Sequence, residues 1–277
     1  MSLKGGYGKL STVCTESALA FHKVVDLART GYQAEHFFEL QMAKQLLATA
    51  LTGVLPHINI GGVGVTPIIN AALLAEDKLL AGWNKLYPAT AKLNTFYDSV
   101  KGLKGVPGSY IKPSNTPADH IMTVLSDWGN MQNMLLIEGQ INWVKGKLFS
   151  LYNPMSQDSL KKLVTKALAG DAKAAKKIEV ILQSVLSVFN YMNDAGAELT
   201  WRVSYMQIDK EIQNMDQYMP ELKGLKAIWD EFPPAYQEAV AQKSSRICAH
   251  GRYPSQILGA SSQSCGQCSP WTARLHY

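Results

Sequence analysis

His57-Ile58-Asn59-Ile60-Gly61-Gly62-Val63-Gly64-Val65-Thr66 lies at the centre of a stretch without formal charge that fills the 31 residues between Lys44 and Glu76. Apolar residues alternate on each side of Gly61-Gly62, the pattern of a β-hairpin with a two-residue turn. His57 is the only member able to titrate near neutral pH. The stretch is too long for one buried strand, and Gly and Pro break it too often for a transmembrane helix. Residues 46–55 and 68–74 flank it, both apolar and able to be helical. A small apolar hairpin between two helices buries itself in its own chain, inserts into a partner protein or inserts into lipid. Ile58, Ile60, Gly61, Gly62, Val63 and Val65 are therefore the candidate membrane- or partner-inserting residues, within a hairpin region spanning 53–66.

Working outward, most of the chain reads as long helices. The first is expected over about 11–51, with Leu10, Val13, Phe21, Val24, Ala28 and Tyr32 roughly on one face and Gly31 as an interruption. Thr66-Pro67 opens a second, which is bent or broken at Pro88 and fades near Lys101. Gly102, Gly105, Pro107, Gly108 and Pro113 mark a loop. Thr116-Pro117-Ala118-Asp119 is a helix start, with an N-cap, Pro in the first helical position and an acid in the first turn. From there one helix is expected to reach Tyr152 and stop at Asn153-Pro154. A short amphipathic helix follows over 158–169. Ile178, Ile181, Val185, Val188, Met192, Ala195 and Leu199 then step by 3 and 4 in a helix running to Pro220, about 45 residues or roughly 65–70 Å. A last short helix covers 221–232 before Pro233-Pro234, with another turn or two as far as Gln242. Trp128, Trp143 and Trp201, and the methionines on the helical stripes, are expected to pack between helices.

The fold class that follows is all-α: an elongated antiparallel bundle of long helices, with the hairpin between the first two and a loop-rich tail. Residues 1–242 form the bundle domain and 243–277 the tail. The order of elements loosely resembles that of helical pore-forming toxins, in which a hydrophobic tongue interrupts a bundle of long helices. The resemblance covers element order only, and the tongue comes earlier here.

With 277 residues, 47% of them hydrophobic and 18% charged, the chain can bury a proper core and is not disordered throughout. Its net charge is +5, yet Lys243, Arg246, Arg252 and Arg274 supply four of those charges, with no acid after Glu238. Residues 1–238 are thus close to neutral, which argues against a general nucleic-acid-binding face. The N-terminus has no apolar core of the kind a signal peptide needs, so a cytoplasmic protein or a secreted one with its leader removed is expected. No run of 18 apolar residues is free of breakers, so a constitutive span is not expected.

The tail carries Cys248-Ala249-His250 and Cys265-Gly266-Gln267-Cys268. Three thiolates and an imidazole are a sensible tetrahedral zinc set, so Cys248, His250, Cys265 and Cys268 are the candidate metal ligands. A disulfide or redox pair at Cys265 and Cys268, a Cys14–Cys248 pair, or a tail with no structural role are the alternatives. His36 and Glu39 would share a helical face, but no second Glu-x-x-His pair exists to build a di-iron site. Asp119-His120 with Asp127 has hydrolase-type chemistry, although Asp119 is accounted for by the helix start. Phosphate-loop, dinucleotide, nucleophile-elbow and zinc-protease motifs are all missing from the sequence.

The sequence therefore points to a non-enzymatic assembly protein, a pore-forming subunit or a component of a secretion or conjugation apparatus, that presents the hairpin to a membrane or partner. The alternative is a soluble helical scaffold or adaptor whose apolar segment is ordinary core. Sparse charge over 121–137 and 180–193 adds an expectation of self-association.

Overall fold

The computed structural model describes residues 5–9, 19–23, 31–36, 38–55, 74–93, 115–126 and 133–250. In chain order its elements are β1 (Gly5–Lys9), β2 (Leu19–Lys23), β3 (Tyr32–His36), α1 (Leu40–Thr52), α2 (Glu76–Trp83), α3 (Pro117–Ser126), β4 (Met134–Glu138), α4 (Gly139–Phe149), α5 (Gln157–Leu168), α6 (Ala172–Met192), α7 (Ala195–Tyr218), a 3-10 turn (Pro220–Leu222) and α8 (Leu225–His250). The protein is mostly helical, with a small sheet. The chain divides into two compact units. The first holds His36–Leu135 and Glu198–Gln237, the second Ser2–Glu35, Leu136–Ala197 and Glu238–Tyr277.

In the first unit, α1 buries Met42, Gln45, Leu46, Thr49 and Ala50, the i, i+3, i+4, i+7, i+8 stripe of an amphipathic helix. It ends at Gly53, whose φ of 71° suits glycine and whose N–H donates to the Thr49 carbonyl. α3 begins as the sequence predicts. The Asp119 N–H donates to Thr116 Oγ1 at 3.2 Å, and Asp119 Oδ2 accepts from the Thr116 N–H at 3.0 Å, a reciprocal cap. An aromatic ladder runs through this unit, Phe38–Trp201–Tyr205–Trp229–Phe232–Tyr236, with successive ring centroids 5.4, 5.3, 5.4, 6.2 and 5.2 Å apart. α2 lies against the 3-10 turn so closely that a Cβ on Gly82 would sit 2.6 Å from Leu222 Cγ.

In the second unit the strands form a sheet of order β2-β1-β4-β3. β1 and β2 are antiparallel from Gly5↔Lys23 to Lys9↔Leu19, and β1 runs parallel to β4 with Tyr7 opposite Ile137. The Gly139 N–H donates to the Gly31 carbonyl at 2.6 Å, joining the end of β4 to the start of β3. α4 packs on α6, and α6 on α5. The α5–α6 turn is fully specified by its residues: Gly170 has φ of 91°, its N–H donates to Ala167 O, and the Asp171 N–H donates to Lys166 O. Asp171 Oδ1 then caps α6 by accepting from the N–H groups of Lys173 and Ala174.

The long helices of the sequence reading are corrected in five places. Where a helix over 11–51 was expected, the described residues form β2, β3 and only then α1. Phe21 and Tyr32 are strand residues, and a short apolar pattern cannot separate a buried strand from a helix stripe. The helix expected to open at Thr66-Pro67 and run to a bend at Pro88 is, among the described residues, only α2, with Ala75 extended before it and Asn84 ending it. The helix expected from Pro117 to Tyr152 is α3, β4 and α4. Asn133 explains part of this break. Its buried amide accepts from the Phe38 N–H at 2.5 Å and donates to the carbonyls of Phe38 and Leu125 at 3.0 and 2.9 Å, an arrangement that a continuing helix would not present.

The 45-residue rod is divided at Asn193-Asp194 into helices of 21 and 24 residues. Asn193 ends α6, and Asp194 Oδ1 accepts from the Ala197 N–H at 3.2 Å, so a local cap replaces helical continuity. The opposite correction applies at Pro233-Pro234, which α8 runs through. Two prolines remove two backbone donors, but the buried, mutually stacked rings of Trp229, Phe232 and Tyr236 hold the turns on either side together.

Candidate functional site

The apolar segment is anchored at its base. Gly53 turns the chain out of α1, Thr52 Oγ1 donates to Val54 O at 2.9 Å, and Leu55 is buried. On the return the Leu74 N–H donates to the Ala50 carbonyl at 2.9 Å, and Leu74 is buried as well. The described residues on the two sides of the uncharged segment thus meet at one place, immediately before α2. Ile58, Ile60, Gly61, Gly62, Val63 and Val65 lie outside the described residues, as does the hairpin assigned to them.

The most concentrated chemistry lies elsewhere in the first unit. Glu211 on α7 accepts two hydrogen bonds at Oε1, from Tyr87 Oη at 2.5 Å and from His120 Nδ1 at 2.7 Å. Its Oε2 lies 3.5 Å from Asn214 Nδ2. The Tyr87 and His120 rings stack with centroids 5.2 Å apart. Burial, reinforced by the neighbouring carboxylate and its hydrogen bond, pushes the Tyr87 phenol far above its ordinary pKa. A carboxylate that accepts from imidazole fixes a proton on Nδ1, so His120 serves as a donor.

Phenol, imidazole and carboxylate together could relay a proton, but His120 and Glu211 have no solvent-exposed side-chain surface. The cluster clamps the segment after α2, α3 and α7 to one another. The expected Asp119-His120-Asp127 grouping is not what the fold builds. Asp119 is held low by hydrogen bonds from the Thr116 backbone and hydroxyl, His120 turns to Glu211, and Asp127 lies outside the described residues. Sequence reading missed Glu211. The available signal was a carboxylate at position 211, at helical spacing between the apolar Ile208 and Met215 of α7.

His36 and Glu39 do not share a helical face, because β3 ends at His36 and α1 begins only after Glu39. Glu35, inside β3, instead meets buried Lys145 of α4 at 2.5 Å, and the Lys145 ammonium lies 5.2 Å from the Phe149 ring centroid. Of the candidate zinc ligands, Cys248 and His250 fall in the last turn of α8, and Cys265 and Cys268 lie outside the described residues. Among the described residues there is no group of three His, Cys, Asp or Glu placed to hold a metal, and no helix long and apolar enough to cross a membrane. Trp201 is buried in the ladder, whereas Trp143 is 46% exposed and is not the inter-helix anchor its position suggested.

No protein-family model matches the chain, no curated protein matches it, and no solved structure matches its fold.

Proposed function

We propose that the chain is a non-enzymatic helical assembly protein that presents the apolar segment around residues 53–66 to a membrane or a partner protein, as a pore-forming subunit or a component of a secretion or conjugation apparatus does. The observation that carries this reading is the closed base: the Leu74–Ala50 hydrogen bond joins the two ends of residues 56–73, a stretch of sequence that contains no formal charge. Backbone polar groups inside lipid must be satisfied within the protein, so a hairpin that inserts does so together with other copies or with its flanking helices. Self-association belongs to the proposal. The exposed side chains of Leu80, Leu86, Met122 and Met206, all in the first unit, favour it. The uncharged face of α6 does not, because Ile181, Leu182, Val185 and Val188 are already buried by their own chain.

The second reading, a soluble scaffold whose apolar segment is core, draws on the burial of Leu55 and Leu74 at the two ends of that stretch. Dye release from vesicles separates the two. Wild-type protein is expected to cause leakage, and Val63→Asp with Val65→Asp is expected to abolish it while the circular dichroism spectrum is unchanged. A double variant that fails to fold would instead assign the segment to the core. Light scattering over micromolar concentrations tests association, and a single monomeric species throughout would remove that part of the proposal.

A further inference from the structure

Six lysines fall within the α5–α6 hairpin, Lys161, Lys162, Lys166, Lys173, Lys176 and Lys177, against three carboxylates, Asp158 in the first turn of α5, Asp171 between the helices and Glu179 in α6. All six are exposed. Asp171 is occupied by its capping bonds to the backbone of α6, and Glu179 holds Lys176 at 2.9 Å. Among the described residues, Lys161, Lys162, Lys166, Lys173 and Lys177 enter no ion pair.

The geometry of α5 sharpens the pattern. It buries no residue fully, and only Leu160, Leu163, Val164 and Ala167 are even partly covered, on the stripe that meets α6. Its outer side therefore carries Lys161, Lys162 and Lys166, and Leu168 at its C-terminal end is 55% exposed. Six like charges concentrated on one tightly turned hairpin repel one another, and an anionic surface would relieve that repulsion.

We infer that this hairpin docks the protein on an anionic lipid surface. Clusters of four to eight lysines on an amphipathic helix are the recurring means of binding acidic headgroups, and long lysine stems let an apolar neighbour such as Leu168 approach the acyl boundary. Lipid is favoured over nucleic acid by the side chains present. The hairpin contains no arginine, the residue suited to bidentate phosphate recognition, and large apolar side chains of the same unit (Trp143, Tyr152 and Leu168) are exposed. This surface is independent of residues 53–66 and would hold the protein at a membrane whether or not that segment inserts.

The experiment is co-sedimentation of the full chain with phosphatidylcholine vesicles, with and without phosphatidylserine, across a salt series. Binding is expected only with phosphatidylserine, and it should weaken as salt rises. Lys161→Gln with Lys162→Gln and Lys166→Gln should lower the partition coefficient about a hundredfold, while the corresponding Lys→Arg variant retains it. Val63→Asp with Val65→Asp should leave sedimentation intact even where it abolishes leakage, so failure of the hairpin reading and failure of this one are distinguishable. Absence of sedimentation by wild type overturns the inference, as does a Gln variant that binds like wild type. Loss of binding caused instead by Arg252→Gln with Arg274→Gln would also overturn it by assigning attachment to the tail. Tighter lysine-dependent binding to duplex DNA or RNA than to the vesicles would replace lipid with nucleic acid.

Discussion

The backbone N–H of Leu74 donates to the carbonyl oxygen of Ala50, so the last helical turn of α1 and the residues just before α2 share one hydrogen bond. That bond depends on the chain leaving α1 in a fixed direction, which Gly53 sets with its φ of 71°. Gly53→Ala places a Cβ in the left-handed region and should destabilise the protein by about 1 kcal/mol or more. Urea unfolding should show a lower midpoint with an unchanged slope. Proteolysis should quicken between Leu55 and Leu74 if the base loosens.

Tyr87 gives a prediction at alkaline pH. Its pKa is raised in the folded protein, by burial first and by Glu211 second, and that of Tyr236 is raised by burial and by Glu39. A group with a raised folded pKa contributes its full stability below the unfolded value, about 10 for tyrosine. That contribution declines as pH rises past 10, because the unfolded state loses the proton first. Stability should therefore fall above pH 10, by up to about 1.4 kcal/mol per pH unit for each such tyrosine. Tyr87→Phe should lower stability at neutral pH by about 1.5–3 kcal/mol, the range for a hydrogen bond to a charged group. It should also make the alkaline slope shallower by about one proton. Denaturant unfolding between pH 8 and pH 11 checks both.

Lys145 and Glu35 invite a double-mutant cycle. Replacing Lys145 by Met alone leaves the Glu35 carboxylate largely buried without its ammonium partner and should cost about 3–5 kcal/mol. Adding Glu35→Leu removes the stranded charge, and the double variant should recover most of that loss. Equal stability of the single and double variants would show that solvent reaches Glu35 well enough to hydrate it.

Asp216 closes the turn that precedes α8. Burial pushes its pKa up, but hydrogen bonds from Lys223 Nζ and from the Gly224 and Lys226 N–H groups outweigh this and hold it below the ordinary carboxylate value. A depressed folded pKa contributes stability above the unfolded value, near 4, that is lost as pH falls through the folded one. Asp216→Ala should cost about 1–2 kcal/mol at pH 7. The variant should lose less stability than wild type on acidification below pH 4, as read by thermal unfolding.

What could be read in the sequence was whatever depends on neighbours in the chain. Thr116-Pro117-Ala118-Asp119 became the cap it spells, and Gly170-Asp171 became the turn between α5 and α6, because both use backbone groups within five residues. The residues that misled were those whose partners are distant. Asn133 breaks the expected helix by bonding to Phe38, 95 residues away, and His120 acquires its role from Glu211, 91 residues on. Apolar residues at helical spacing fit strand and helix alike until such partners are known. Pro233-Pro234 misled in the other direction, since the aromatic ladder that offsets the lost donors has its far end at Phe38. The lysines of α5 and α6 went unremarked because the sum of charge over 1–238 is near zero, and a sum does not report where like charges gather.

The partition of the chain bears on how the protein is made. The first unit needs His36–Leu135 and also Glu198–Gln237, with the whole of Leu136–Ala197 assigned to the other unit between them. As the ribosome works from the N-terminus, Tyr87 and His120 emerge long before Glu211, and Phe38 long before Trp201. The first unit therefore cannot close during synthesis until its last forty residues have appeared. Through that interval the nascent chain carries its uncharged stretch of sequence and one side of an unfinished core in the open, where a chaperone or a membrane can reach them before the fold does.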